Sequence, residues 1–248
     1  MNRTDKTKET WESSFKEQIA TRSFNTAPVE ALVRTVSYYL RSRHTSESEK
    51  TLHFLEMGCG AAPTLVWLAR RGIRVSGIDV SPTALRLAKE NLENTGVGDR
   101  IGKLLEGSVT NVPFEAASFD GVLESCVFQH LNRKERKAAF HEVRRVLKPG
   151  GIFVGQMLDQ GHSVFVRNKT EQLENDPGTL ILESDPSKVH LTGIGLSHFY
   201  SRDEIEQLLE GFQTVDPCLT TYYLPREEAQ KRGYDEYLQS MWIVYAVK

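Results

Sequence analysis

The sequence predicts an α/β fold in which helices cover both faces of a doubly wound, largely parallel sheet. Residues 52–80 read as a short apolar strand, a glycine-rich turn, an amphipathic helix and a second apolar strand that ends at Asp79. Strand-like and helix-like segments continue to alternate after this unit. Because right-handed crossovers join parallel strands, their carboxyl ends are expected at one edge of the sheet, where open α/β folds bind ligands.

The elements before this unit are predicted to be helical. Residues 1–10 are polar and are expected to be mobile. Trp11 and Phe15 have the i, i+4 spacing of neighbours on one helix face, which favours packing against the body of the protein. Pro28 opens a second helix with one apolar face, and the charged run 41–50 links it to the core.

The core and the tail continue the alternation of strands and helices. Five core strands are predicted. The first is the apolar run that ends just before Gly58, the second is the apolar run that ends at Asp79, and the others are residues 101–105, 119–123 and 152–158. The helices begin at Pro63, behind a Ser81 cap, behind an Asn132 cap with Glu135 completing a capping box, and at a second capping box, Ser201-x-x-Glu204. Two β-rich runs close the chain, 219–224 and 241–247, separated by a charged stretch, 225–239.

Composition indicates a single enzyme-sized domain. The chain has 248 residues, 39% of them hydrophobic, and its 31 basic and 33 acidic residues give a net charge of −2. This balance argues against nucleic acid or anionic lipid as a partner. A leader-like apolar segment and a long apolar span are both lacking, so a cytoplasmic location without membrane insertion is expected. Cys59, Cys126 and Cys218 are too few and too scattered for a disulfide framework or a metal site.

An acid beside the glycine-rich turn separates two classes of cofactor. A dinucleotide fold needs G-x-G-x-x-G, but the third position counted from Gly58 is Pro63. Glu56 lies two residues before Gly58, where its charge would repel a pyrophosphate and attract a ligand carrying an ammonium and a sulfonium. Charge therefore favours S-adenosylmethionine over NAD, and an NAD-dependent oxidoreductase is the alternative.

Four motifs follow one another between residues 50 and 160. They are EMGCGAA at 56–62, GIDVS at 77–81, SFDGV at 118–122 running on to QHL at 129–131, and RVLKPGG at 145–151. Together they resemble the class I S-adenosylmethionine-dependent methyltransferases, with Ala62 in place of the last glycine of the first motif. The resemblance implies a seven-stranded sheet with an antiparallel last strand. It also implies four parts of one domain: a helical cap or lid (1–45), the cofactor-binding core (50–160), a substrate-pocket insert (159–200) and a C-terminal helix and hairpin (201–248).

The resemblance also implies which residues bind the cofactor. Glu56 would lie near the methionine amine, and Asp79 would accept both ribose hydroxyls. Taken singly, each has a structural explanation, as a solvated strand end or the start of a helix. The other implied ligands are Gly58, Cys59 and Gly60 in the turn, Val80 beside Asp79, Ser108 and Val109 at the adenine, Glu124 and Ser125 under the methionine moiety, and Trp11 in a lid.

The acceptor is less defined by the sequence. Methyl transfer mainly requires alignment, so no motif specifies a catalytic residue. His130, after the fourth strand, and His198, in the insert 159–200, are general-base candidates, with a structural role as the alternative. The insert also contains His162, His190 and several aromatic residues among polar ones, which favours a small polar acceptor such as a sugar or hydroxylated metabolite. The identity of the acceptor, the atom methylated and the oligomeric state stay open.

Two further functions are weighed against small-molecule methyl transfer. A non-catalytic S-adenosylmethionine-binding module would bind the cofactor without turnover. A nucleic-acid methyltransferase is disfavoured by the near-neutral charge and by residues 124–127, Glu-Ser-Cys-Val, where such enzymes carry N/D-P-P-Y/F.

Overall fold

The computed structural model describes residues 3–182 and 195–248, which contain a seven-stranded sheet and a two-stranded sheet. The strands are β1 (His53–Met57), β2 (Arg74–Asp79), β3 (Ile101–Glu106), β4 (Phe119–Ser125), β5 (Leu147–Leu158), β6 (Thr179–Leu182), β7 (Gly195–His198), β8 (Thr214–Tyr223) and β9 (Leu238–Val247). The large sheet has the order β3-β2-β1-β4-β5-β9-β8, and β9 runs antiparallel to both of its neighbours. The predicted doubly wound sheet with an antiparallel last strand is confirmed.

Helices cover both faces of this sheet. They are α1 (Arg3–Thr21), α2 (Glu30–Arg43), α3 (Ser46–Glu49), α4 (Pro63–Arg70), α5 (Pro82–Glu93), α6 (Arg133–Val146), α7 (Ser163–Asn168), α8 (Arg202–Leu208) and α9 (Arg226–Lys231). One buried apolar cluster joins α2, α4 and α5 to the sheet, and another joins α6 and α8 to it. The predicted caps of α5 and α6 form, since Ser81 accepts from Ala84 N–H and Asn132 and Glu135 accept from each other's backbone.

The N-terminal prediction needs correction. Residues 1–10 were expected to be mobile, but α1 begins at Arg3 and continues through Trp11 and Phe15. Its inner face is held to the core by Glu12, which accepts hydrogen bonds from Ser81 and Thr83 at the start of α5. A polar sequence does not reveal such a tertiary contact, which stabilises the helix.

A buried network of charged side chains joins α6, α8 and the β6–β7 sheet. Arg136 is 1% exposed and pairs with Asp176 at 2.5 Å and with Glu204 at 3.5 Å. Glu204 also accepts from His198 Nε2 at 2.8 Å, while His198 Nδ1 lies 2.7 Å from the hydroxyl of Thr179. The capping box predicted at Ser201 is therefore half formed: Ser201 caps α8, but the Glu204 carboxylate belongs to this network.

Within residues 3–182 and 195–248, no helix is long and apolar enough to cross a membrane.

Candidate functional site

A cavity of about 600 Å³ lies at the carboxyl edge of the large sheet. The loops that follow β1, β2, β3 and β4 line it, together with α1, residues 24–29, the end of β5, His162 and the β8–β9 hairpin. The structure thus brings together most of the residues expected to bind a cofactor. They are Trp11, Glu56, Gly58, Cys59, Gly60, Asp79, Val80, Ser108, Val109 and Ser125.

The turn after β1 is a backbone cradle that tolerates little side-chain bulk. Gly58 has φ +78°, and a Cβ built on it would lie 2.4 Å from Cγ2 of Val127. Gly60 donates its N–H to Asp79 at 2.9 Å. Ala62 takes the left-handed conformation, with φ 61°, and Pro63 then starts α4. This geometry needs glycine at Gly58 and tolerates alanine, at some cost, at position 62.

Glu56 is buried and incompletely satisfied. Its side chain lines the cavity, yet the residue is 3% exposed, and its Oε2 atom has no hydrogen-bond partner among the described residues. Burial raises the pKa of the carboxyl to about 8, and the hydrogen bond with Thr64 opposes this rise. A buried carboxyl oxygen without a partner is costly unless a ligand donor satisfies it. Glu56 is therefore suited to an ammonium group.

Asp79 is positioned by two backbone N–H groups at the end of β2. Gly60 donates to Oδ2 and Ser81 donates to Oδ1, each at 2.9 Å. Each oxygen keeps a further lone pair with which to accept from a ligand hydroxyl. Burial raises the pKa of this carboxyl, and the N–H groups of Ser81 and Gly60 oppose the rise.

The loop after β3 supplies Ser108 and Val109. The hydroxyls of Ser108 and Thr110 are 2.8 Å apart, and Ser108 also accepts the backbone N–H of Thr110. Because these contacts fix the Ser108 hydroxyl, the loop presents a preformed polar atom beside the apolar Val109.

The helix α1 closes one side of the cavity. Trp11 and Phe15 both line it, and the Trp11 ring meets the edge of His130 with centroids 5.2 Å apart. Burial raises the pKa of Glu12, but hydrogen bonds from Thr83 and Ser81 outweigh it and lower the pKa to about 2. Glu12 is therefore ionised, and its hydrogen bonds with Ser81 and Thr83 hold α1 over the cavity.

Weakening the hydrogen bonds between Glu12 and the start of α5 is expected to accelerate ligand release. A Glu12→Gln substitution replaces a charged acceptor of three hydrogen bonds by a neutral amide, and we expect about tenfold faster dissociation of S-adenosylhomocysteine. Stopped-flow fluorescence of Trp11 would measure it. Glu17→Gln, an exposed change on the same helix, is the matched control. Equal rates in both variants would show that Glu12 does not hold the helix closed.

Glu124 and His198 do not line the cavity. Glu124 is fully buried and accepts the N–H groups of Val127 and Phe128, so it orders the loop whose Val127 side chain packs on Gly58. His198 is fully buried, with both ring nitrogens engaged by Thr179 and Glu204. Both His198 ring nitrogens have protein partners, whereas the Oε1 atom of Glu124, like Oε2 of Glu56, is buried with no hydrogen-bond partner among the described residues.

His130 lines the cavity but is poorly suited to act as a base. Its Nδ1 lies 3.1 Å from the carbonyl oxygen of Leu196, so Nδ1 carries the proton. The remaining lone pair, on Nε2, faces the amide nitrogen of Gln129 at 3.3 Å. Burial lowers the pKa of His130 to about 4. These contacts correspond to the structural role that the sequence left open.

The cavity wall opposite the glycine-rich turn differs from the sequence expectation for a substrate-pocket insert. Within the described part of the insert 159–200, His162 lines the cavity, whereas Phe165, Phe199 and Tyr200 are buried elsewhere; His190 lies outside the described residues. The wall comes instead from one face of the β8–β9 hairpin, namely Tyr222, Leu224, Tyr237, Gln239 and Met241. Sequence reasoning missed these residues, although their spacing of two is a strand-face signal.

Comparison with known proteins relates this geometry to methyltransferases. A family model described as a methyltransferase domain matches residues 55–155. An erythromycin 3''-O-methyltransferase of Saccharopolyspora erythraea is 39% identical over 109 residues, covering 42% of this chain and 34% of that protein. A sterol 4-C-methyltransferase of Caenorhabditis elegans is 28% identical over 120 residues, covering 46% of this chain and 35% of that protein. The chain thus spans about a third of the length of these two relatives.

Solved structures share the fold over most of the chain. A 1,6-didemethyltoxoflavin-N1-methyltransferase of Burkholderia thailandensis, solved with its acceptor and S-adenosylhomocysteine, is 16% identical with a TM-score of 0.59, covering 97% of this chain and 88% of that one. An S-adenosylmethionine-dependent methyltransferase of Methanosarcina mazei is 23% identical with a TM-score of 0.60, covering 79% of this chain and 92% of that one.

Proposed function

Because this chain belongs to the class I S-adenosylmethionine-dependent methyltransferases, we propose that it transfers a methyl group to a hydroxyl or amine of a small molecule. The proposal rests above all on Glu56, which lines the cavity beside the glycine-rich turn and whose buried Oε2 has no partner among residues 3–182 and 195–248. A family cofactor with an ammonium group supplies the missing donor.

The residues at the turn fit this cofactor. Glu56 would hold the methionine ammonium, Asp79 the ribose hydroxyls, and the Ser108–Val109 loop the adenine. Gly58 must be glycine, because its φ is +78° and a Cβ there would clash with the Val127 side chain, and the turn it forms lines the cavity. S-adenosylmethionine supplies a methyl carbon on a sulfonium, which an acceptor lone pair can take while the C–S electron pair returns to sulfur and the acceptor's proton passes to water.

The contribution of this chain is to orient the acceptor. Alignment of the reacting atoms can supply about 7–11 kcal/mol of a barrier. His130 and His162 line the cavity, but both ring nitrogens of His130 have protein partners, His162 Nδ1 accepts from Val164 N–H, and burial lowers the pKa of each ring to about 4. Among the described residues we therefore assign catalysis to positioning, with His130 and Trp11 shaping the site around the methyl group.

The names of the relatives support a small acceptor. They include methyltransferases named for erythromycin, for a sterol and for a 2-heptyl-1-hydroxyquinolin-4(1H)-one. These acceptors differ in size and in the atom methylated, so the chemistry of the acceptor must be inferred from the cavity of this chain.

Parallel calorimetric titrations with S-adenosylhomocysteine and NADH test the proposal. Micromolar binding of the first and none of the second would support it, whereas binding of NADH alone would overturn it. Binding of S-adenosylmethionine without methyl transfer to any acceptor in a broad screen would favour the non-catalytic module.

A pH dependence is expected from Glu56. Burial raises the pKa of this carboxyl to about 8 in the free protein, and a bound ammonium favours the ionised form. Binding below pH 8 must therefore release a proton, and affinity should rise as the pH increases from about 6 to about 8, by at most about tenfold per pH unit.

Variants make this pH dependence specific. Glu56→Gln lacks the titrating carboxyl, so its affinity should be lower and flat over the same range. The exposed Glu115→Gln should retain the wild-type profile. Calorimetry in buffers of different ionisation enthalpy would count the released protons. A pH-independent wild type would exclude Glu56 as the ammonium ligand.

A further inference from the structure

The charged stretch between β8 and β9 contributes a cation to the cavity. Arg232 follows α9 directly and lines the cavity, and its side chain is 15% exposed. Of the described residues that line the cavity, it is the only lysine or arginine. The acids Glu56 and Asp79 line the same cavity beside the glycine-rich turn. The cavity is therefore acidic at the turn and basic at Arg232.

The guanidinium of Arg232 is held in place by its surroundings. Its Nη1 donates to the backbone carbonyl of Glu228 at 2.8 Å and to the carboxylate of the same residue at 2.9 Å. The guanidinium carbon lies 6.0 Å from the centroid of the Tyr237 ring. Because these contacts already order the side chain, a ligand that binds it loses little free energy in ordering it again.

The contacts of Arg232 with the protein use one of its three nitrogens. Among residues 3–182 and 195–248, neither Nε nor Nη2 of Arg232 makes a hydrogen bond. The N–H groups of Nε and Nη2 lie side by side on a guanidinium, and this fork matches the two oxygens of a carboxylate. Arg232 thus provides one half of a bidentate pair.

The strand order separates Arg232 from the amino-acid part of the cofactor. In the large sheet, β4 and β5 lie between β1 and β9. At the usual spacing of neighbouring strands, β9 is about 14 Å from β1, which carries Glu56. If Glu56 binds the methionine ammonium, the methionine carboxylate lies close by, since both groups share one carbon. Arg232, just before β9, therefore lies on the acceptor side.

The surface near this cation is apolar and aromatic. Leu158, Leu224 and Met241 offer aliphatic surface to the cavity, and Tyr222 and Tyr237 offer rings. A flat ring packs well on such a surface, whereas each hydroxyl of a sugar needs a polar partner. An anionic group is stable there only beside a cation that also donates hydrogen bonds. The surface thus favours an apolar ring that carries one anionic group.

We propose that Arg232 is a specificity residue that binds the carboxylate of an acceptor whose remaining surface is a flat, largely apolar ring. Nε and Nη2 donate to the two carboxylate oxygens, while the ring lies against the tyrosines and the aliphatic side chains. The hydroxyl or amine to be methylated is a different group on the same acceptor. This inference rests on the proposed function, because it concerns the acceptor half of the same cavity.

The test compares two probes, 6-hydroxy-2-naphthoate and 6-hydroxy-2-naphthamide, binding to the protein saturated with S-adenosylhomocysteine. The probes have the same ring and hydroxyl but differ in a charged carboxylate and a neutral amide. We expect the acid to bind more tightly than the amide by about tenfold or more, since hydrogen bonds between charged groups are the stronger ones. Calorimetric titration would give both dissociation constants.

Three variants make the preference specific to Arg232. Arg232→Met keeps an apolar stem but removes the charge and the donors, so the preference should fall below about twofold. Arg232→Lys keeps the charge without the fork, so the preference should lie between those of the wild type and Arg232→Met. Lys231→Met removes the adjacent cation, which pairs with the same Glu228 but does not line the cavity, and should keep the wild-type preference.

The carboxylate of S-adenosylhomocysteine is the competing source of an anion. We expect Arg232→Met to bind S-adenosylhomocysteine within about twofold of the wild type. 5′-Methylthioadenosine lacks the amino-acid part of that ligand. If Arg232→Met weakened S-adenosylhomocysteine but not 5′-methylthioadenosine, Arg232 would bind the cofactor's carboxylate, and the inference about the acceptor would be overturned.

The outcomes distinguish this inference from the proposed function. Failure of the wild-type protein to bind S-adenosylhomocysteine overturns the proposed function. When S-adenosylhomocysteine binds, three results overturn the inference about Arg232 alone: equal affinity for the two probes, no binding of the acid, or a wild-type preference in both Arg232→Met and Arg232→Lys.

Discussion

Replacing Asp79 with alanine is expected to weaken the binding of S-adenosylhomocysteine about 100-fold or more. Asp79 is 7% exposed at the cavity, and the Gly60 and Ser81 N–H groups fix both of its carboxylate oxygens. Each hydrogen bond from a ribose hydroxyl to a charged acceptor contributes about 1.5–3 kcal/mol, and alanine removes two. Calorimetric titration would measure the loss.

The choice of ligand makes this prediction specific to Asp79. Adenosine has the ribose but no amino-acid part, so Asp79→Ala should weaken adenosine and S-adenosylhomocysteine by similar factors. Glu56→Gln should weaken S-adenosylhomocysteine alone. Asp79→Asn keeps one acceptor oxygen and should cost about tenfold.

Asp99→Ala provides the matched control for Asp79, since the Asp99 side chain is 71% exposed. It should leave both affinities unchanged. Unchanged affinity in Asp79→Ala, with thermal stability retained, would remove Asp79 from the cofactor site.

Replacing Arg136 with alanine is expected to lower the free energy of unfolding by about 3–5 kcal/mol. Arg136 is 1% exposed, and it donates to both oxygens of Asp176 and to the carbonyl of Leu131. Without the guanidinium, the buried Asp176 carboxylate loses its counter-ion, and Glu204 loses a charge at 3.5 Å. Equilibrium unfolding in urea would measure the loss.

The matched control for Arg136 is an arginine whose ion pair is exposed to solvent. Arg34 pairs with Glu30 on α2, but these side chains are 79% and 78% exposed, so Arg34→Ala should cost at most about 1 kcal/mol. The double variant Arg136→Met with Asp176→Leu should recover much of the stability, because it removes the unpaired charge as well. Equal effects of Arg136→Ala and Arg34→Ala would show that the network stabilises little.

The order of the elements followed from local sequence. Apolar runs, the Ser81 and Asn132 caps and Pro63 define strands and helices through interactions within a few residues. The doubly wound sheet then follows because crossovers are right-handed. The place of the antiparallel strand came from the resemblance of four motifs. For the site, Glu56, Gly58 and Asp79 were predictable because all three lie at carboxyl ends of adjacent parallel strands.

Tertiary structure decided the rest, because the remaining features depend on partners distant in sequence. Glu12 on α1 accepts hydrogen bonds from Ser81 and Thr83, some seventy residues away, and these contacts hold the helix against the start of α5. The Glu204 carboxylate does not complete the capping box of α8, because it pairs with His198 and Arg136. The cavity wall formed by the β8–β9 hairpin depends on how far β8 and β9 extend beyond β5, which is a matter of strand register. The sequence by itself predicted Glu56, Gly58 and Asp79 at the cavity through local motifs, whereas long-range packing alone brought His162 and the β8–β9 hairpin to its other wall.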